Sequence, residues 1–151
     1  MSLNVDVQVG HRLPELTKSV TQEQIAAYAA AAGDFNPIHL DEQYAAGTQF
    51  GRRIAHGMLV LAFVSEMMSM AFPREWPSAG RLKVRFKAPV YPGETIRVTG
   101  EAVSVHPSGM AAGVSRSGEA GAHEAEFKVA VVKPDGSEAV SGQAFVGFRR
   151  S

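Results

Sequence analysis

Residues 57–72 read GMLVLAFVSEMMSMAF. Apart from Gly57, Ser65, Glu66 and Ser69, every position is apolar. A helix that is apolar on nearly all sides must be buried on most of them. The stretch is shorter than the roughly 20 apolar residues a membrane-spanning helix needs, and it carries Glu66 and two serines. It therefore predicts a buried helix of a globular domain, running from Gly57 to about Phe72, with Pro73 and Pro77 bounding its end.

Downstream the apolar period changes to two. In RLKVRFKAPV (81–90), Leu82, Val84 and Phe86 alternate with Arg81, Lys83, Arg85 and Lys87, which predicts a strand with one buried face. ETIRVTGEAVSV (94–105), AHEAEFKVAVVK (122–133) and EAVSGQAFVGFRR (138–150) predict three more. KPDGSE (133–138) has the Pro-Asp-Gly chemistry of a hairpin turn. HPSGMAAGVSRSGEAG (106–121) reads as a mobile loop or the tip of a long hairpin, and a further strand is expected near VDVQVG (5–10).

Upstream, TQEQIAAYAAAAG (21–33) is the clearest helix. Thr21 is a good N-cap, Gln24 can complete a capping box, and Gly33 is a natural stop. Asp41 can cap a short helix through EQYAA (42–46), which Gly47 breaks. Helices first and hairpin-connected strands after predict an α+β fold, with a curved antiparallel sheet wrapped around the long helix. No repeat or linker is visible, so residues 1–151 are expected to form one domain. Such a sheet leaves an edge uncovered, and a dimer is expected to cover it.

Composition narrows the function classes. The chain has 151 residues and a formal net charge of zero, which argues against nucleic acid as a main partner. There is no cysteine, so no disulfide or thiolate chemistry is expected, and a reducing cytoplasm is the natural home. The opening MSLNVDVQVG lacks a basic region followed by an apolar run, so neither a signal peptide nor a membrane segment is expected.

Between the predicted helices lies GDFNPIH (33–39). Asp34 and His39 flank a turn, and their reference pKa values of about 3.9 and about 6.5 straddle the range used for proton transfer at neutral pH. An isolated Asp and His in such a place have a plainer reading: the Asp caps the turn and the His is a polar core residue. Gly57 opens the buried helix, where unsatisfied N–H groups carry the positive end of the dipole and a glycine lets a carbonyl come close. It could equally avoid a clash with the sheet. Ser65 is polar on an apolar face and could bond back to its own helix.

Taken together, YAAAAGDFNPIHLDEQYAAGTQFGRRIAHGMLVLAFVS (28–65) closely resembles the MaoC-like, (R)-specific enoyl-CoA hydratases of the hot-dog fold. The shared signature is G-D-x-N-P-[apolar]-H followed by a downstream H-G-M, with matching spacing. The resemblance implies addition of water to a trans-2-enoyl thioester of coenzyme A or acyl-carrier protein, without a further cofactor or metal. It implies that Asp34 and His39 bind and activate the water, and that the Gly57 N–H holds the thioester oxygen. Asn36 would brace the loop, and Ser65 matches a serine found near the site in short hydratases.

Three other readings stand beside it. One is a hot-dog thioesterase, for which Glu66 is the only acid on the central helix. Another is a non-catalytic thioester-binding subunit, against which the intact motif argues. The third is a metal hydrolase using His39, Asp41 and His56, although Asp41 is better read as a helix cap. His11, His106 and His123 lie in loop-like sequence and are expected to be solvated. Arg52, Arg53, Arg81, Lys83, Arg85 and Lys87 are candidates for meeting coenzyme A phosphates.

Overall fold

The computed structural model describes residues 6–107 and 122–149. Its strands are β1 (Leu16–Ser19), β2 (Arg81–Phe86), β3 (Thr95–Pro107), β4 (Ala122–Val132) and β5 (Glu138–Arg149). They form one antiparallel sheet in the order β1-β3-β4-β5-β2. The helices α1 (Gln22–Ala32), α2 (Pro37–Leu40), α3 (Glu42–Ala46), α4 (Gly57–Ala71) and α5 (Glu75–Ala79) all precede β2. The α+β wrap anticipated above is the one observed.

The sheet offers its inner face through alternation along each strand, interrupted where Ala130 and Ala139 are also buried. Ile96, Val98 and Ala102 of β3, Ala125, Phe127, Val129 and Val131 of β4, and Val140, Ala144, Val146 and Phe148 of β5 are all buried. Against β3 and β4 lies α4, which buries Leu59, Val60, Phe63, Val64, Met67 and Met68. Each such side chain contributes on the order of 1.5–3 kcal/mol by leaving water. Beyond its last turn, Phe72 meets Phe127 edge-on at 5.5 Å.

Enclosure of α4 is incomplete. Met58 is 57% and Met70 64% exposed, and Ala62 also faces solvent. The sole acid of the helix, Glu66, is held by Lys18 of β1 at 2.7 Å. Leu82 and Val84 of β2 are only half-buried and Phe86 is 54% exposed. The buried faces expected for both elements are thus open on one side, because β2 is an edge strand paired only with β5.

Several local expectations need correction. The described part of the expected N-terminal strand, residues 6–10, is not a strand, and the first strand is Leu16–Ser19. The earlier segment only touches β3, through Gly10 N–H to Ala102 O at 2.8 Å and a bridge between Arg12 and Glu101. α5 occupies the stretch that Pro73 and Pro77 bracket; Pro77 is its third residue, where the first turn has no intrahelical donor to lose. The capping box is half formed: Thr21 accepts from Gln24 N–H at 3.1 Å, while Gln24 Oε1 is buried without a partner. Of the expected 106–121 loop, His106 and Pro107 instead extend β3, and the rest lies outside the described residues. His123 stands in β4 and stacks on Phe148 at 5.8 Å, so pairing between β3 and β4 reaches further than the sequence pattern indicates. His11 is exposed, as expected.

The turn at 133–138 forms with Gly136 at φ 85 and Asp135 Oδ1 accepting from Ser137 N–H at 2.8 Å. The β5–β2 pairing depends on Gly142. A Cβ there would fall on the Lys83 carbonyl and the Val84 Cα. Gly142→Ala is expected to lower stability by about 1–3 kcal/mol through overpacking. Thermal denaturation checks this, and an unchanged melting temperature would show that β2 moves aside freely.

Candidate active site

The turn that carries Asp34 is built by caps. Gly33 ends α1 in the left-handed region at φ 70, with its N–H bonded to Ala29 O. Asp34 Oδ1 accepts from Asn36 N–H at 3.2 Å. Asn36 is in turn the N-cap of α2, its Oδ1 accepting from Ile38 N–H at 3.1 Å, and Pro37 occupies the first helical position. The Asn-Pro pair therefore ends one helix and starts the next, and His39 falls on that single turn. Asp34 does cap the turn, as the plainer reading had it, but one carboxylate oxygen suffices for that role.

Long-range bonds fasten this turn to the segment that leads into α4. His39 Nδ1 lies 2.8 Å from Ile54 O. His56 Nε2 lies 3.0 Å from Asp34 O. Ile54 N–H reaches Ile38 O at 3.3 Å, and Gln22 Nε2 donates to His39 O at 2.8 Å. As a result one Asp34 carboxylate oxygen and one ring nitrogen each of His39 and His56 lie within 4.8 Å of one another. Asp34 is exposed, His39 half-buried and His56 buried.

Because a carbonyl oxygen only accepts, Nδ1 carries the proton of neutral His39 and Nε2 keeps a lone pair. Burial pushes the His39 pKa below its ordinary 6.5; the bond to Ile54 O opposes this, nearby His56 adds to it, and Asp34 opposes it. At neutral pH the ring is thus an acceptor at Nε2, as a base for water requires.

Next to the pair, α4 begins at Gly57 with no side-chain cap. Its first bonds are from Leu59 and Val60 N–H to His56 O, which leaves the N–H groups of the opening residues for another acceptor. A Cβ on Gly57 would meet the Phe86 ring at 3.0 Å, so avoidance of a clash is a second reason for glycine. A cleft of ≈ 310 Å³ starts here, lined by Phe50, Ile54, Gly57, Val60, Phe86, Lys87 and Val140 among others. Asp34 and His39 are not in its wall; they adjoin it through Ile54 and Gly57.

Other candidates lie elsewhere. Ser65 is eight residues along α4 from Gly57, roughly 12 Å at 1.5 Å per residue, and its Oγ accepts from Trp76 Nε1 at 2.9 Å. The structure does not bring it to the pair. Asp41 caps α3 by accepting from Tyr44 N–H at 3.0 Å, so the metal set of His39, Asp41 and His56 does not assemble. Asp34, His39 and His56 do converge, but a separation of up to 4.8 Å is wide for donors that must each reach a cation at about 2.0–2.2 Å. Among the basic candidates, Lys87 lines the cleft. Arg81 is paired with Glu124 at 3.1 Å. Arg52 stacks over Tyr91 at 4.1 Å, and Arg53 is 3.5 Å from Leu40 O. Sequence reasoning placed His56 in the H-G-M signature and in a metal set, and gave it no role beside Asp34 and His39. The signal for more was a histidine, a poor cap residue, at the entrance of an apolar helix.

The MaoC like domain model matches residues 7–122. The chain belongs to the MaoC-like domain family. It is 35% identical over 103 residues to the 3-hydroxybutyryl-CoA dehydratase of Methylorubrum extorquens, covering 68% of this chain and 64% of that protein. The (R)-specific enoyl-CoA hydratase of Aeromonas caviae is 36% identical over 90 residues, covering 60% of this chain and 66% of that protein. That of Rhodospirillum rubrum is 37% identical over 84 residues, covering 56% and 58% respectively. The matches thus span less than two thirds of these relatives' length. The solved (R)-hydratase of A. caviae, involved in PHA biosynthesis, superposes with a TM-score of 0.75 at 28% identity, over 93% of this chain and 96% of that one. This MaoC-like domain therefore has the hot-dog fold. No helix among its described residues is long and apolar enough to cross a membrane.

The depressed His39 pKa makes a signed prediction. The unfolded chain binds the proton more readily, so this residue's contribution to stability is present above pH 6.5 and lost as the pH falls through the folded value. In histidine NMR, His39 is expected to titrate below 6.5 with its neutral proton on Nδ1. A midpoint above 6.5 contradicts the geometry.

Proposed function

We propose that this chain catalyses reversible syn addition of water to a trans-2-enoyl thioester, giving the (R)-3-hydroxyacyl thioester. The observation that carries the reading is the meeting of Asp34 and His39 beside the uncapped start of α4. The names of the relatives support the reaction and its stereochemistry.

The chemistry needs three services. Water must be held and deprotonated: the Asp34 carboxylate and His39 Nε2 accept its two hydrogens. Its oxygen then bonds to C3 of the acyl chain while the C2–C3 double bond opens toward the thioester. The resulting enolate oxygen is met by the Gly57 N–H, at the positive end of the α4 dipole. The proton taken from water returns to C2 from the same side, which gives syn addition. Asn36 braces the turn through its cap. Ser65 is left out of the chemistry, because Trp76 holds its hydroxyl. A thioesterase role for Glu66 is disfavoured by its ion pair with Lys18.

The cleft beneath Gly57 suits an acyl chain, with Lys87 at its wall for the anionic part of the carrier. Coenzyme A is the carrier named by the hydratase relatives. A second copy of the chain is the partner that fits the half-covered face of β2 and the exposed Met58 and Phe86. The absence of cysteine accords with a cytoplasmic location.

Three outcomes are expected. Crotonyl-CoA should lose its enoyl-thioester absorbance on addition of the protein, and Asp34→Asn and His39→Gln should each lower kcat on the order of 10²–10⁴-fold with little change in KM. Full turnover by folded Asp34→Asn would refute the assignment. Analytical ultracentrifugation at micromolar concentration should give twice the chain mass; a monomer would remove the second copy from the picture.

A further inference from the structure

Among the described residues, His56 is the one polar or charged side chain that is buried, at 2% exposed. It holds the N-cap position of α4 yet makes no capping bond with its side chain. Ser, Thr, Asp or Asn would cap that helix better, so capping is not what the histidine does there. Its ring lies between Tyr28 of α1, at 4.8 Å, and His39, on which it stacks at 3.8 Å and 27°. Nε2 donates to the Asp34 carbonyl at 3.0 Å, which leaves Nδ1 without the proton in the neutral ring. That nitrogen is buried and unpartnered among the described residues, an unfavourable state that a phenylalanine of nearly the same shape would avoid. The directional bond to Asp34 is what the histidine adds.

We propose that His56 is a positioning residue: it fixes the Asp34 backbone and the His39 ring relative to the Gly57 N–H that follows it in the chain. This rests on the hydration reading above. One side chain reaches the acid by a hydrogen bond, the base by a stack and the oxyanion donor by the next peptide bond. Small displacements of such groups weaken a reaction that needs all of them aligned. The titratable groups facing His39 are Asp34, from the turn before it, and His56. On the other side of His56 stands Tyr28, and the nearby Arg53 is directed to Leu40 O.

The test compares His56→Phe, which keeps a ring and loses the donor, with His56→Gln, whose amide can still reach the Asp34 carbonyl. Crotonyl-CoA kinetics, thermal melting and histidine NMR are read on the same preparations. His56→Phe is expected to lower kcat on the order of 10-fold or more with KM within about threefold, and His56→Gln to recover a clear part of that loss. Turnover by folded His56→Phe within about twofold of wild type overturns the proposal, as does His56→Gln no better than His56→Phe. If His56→Phe does not fold, His56→Asn, whose amide stops short of the carbonyl, takes its place. If the wild type hydrates no thioester, the functional reading fails. The positioning claim is then judged by NMR alone: His56→Phe should loosen the His39 Nδ1–H bond to Ile54 O, read as a shift of the neutral ring toward the other tautomer, and an unchanged tautomer rejects it.

Discussion

The enclosure of α4 governs the rest of the molecule. A helix with apolar side chains on nearly every side cannot stand on a surface, and α4 is held against the inner face of the sheet by β3 and β4. With Leu59, Phe63 and Met67 committed to the sheet, the axis of the helix is set, and its N-terminus must emerge beside the turn that follows α1. The positive end of a helix dipole is thereby delivered to the turn where Asp34 and His39 lie side by side.

The turn itself is held from both directions. Local caps at Gly33, Asn36 and Pro37 give it its shape. Bonds from His39 to Ile54 O and from His56 to Asp34 O give it its position. The same bonds choose the tautomers: each carbonyl acceptor fixes a proton on one ring nitrogen and frees the other. Partial burial then favours the uncharged form of His39. Protonation state and geometry thus have a common origin in the backbone carbonyls of neighbouring segments.

The same enclosure explains what is left open. Five strands cover the inner face of α4 but not its outer one, and β2 ends the sheet with half-covered Leu82 and Val84. The exposed Phe86 ring packs at the Gly57 end of the cleft. Any partner that covers this edge would also shape the mouth of the cleft.

Much of this was legible beforehand. The burial of α4, the caps of α1 and α3, the four long strands, the hairpin at Gly136 and the Asp34–His39 turn follow from periodicity, capping chemistry and turn residues. These are properties of neighbours in sequence. What the tertiary structure alone decided involves residues far apart in the chain. β1 is only four residues long and is a strand because Leu16 to Ser19 find β3. Ser65 is withdrawn from the site because Trp76 reaches it, and Glu66 because Lys18 does. His56 acquires its place only when α4 meets the turn, since a stack or a bond to a distant carbonyl leaves no trace in local pattern. Local physics wrote the elements and the Asp34–His39 turn; packing decided which polar groups remained free.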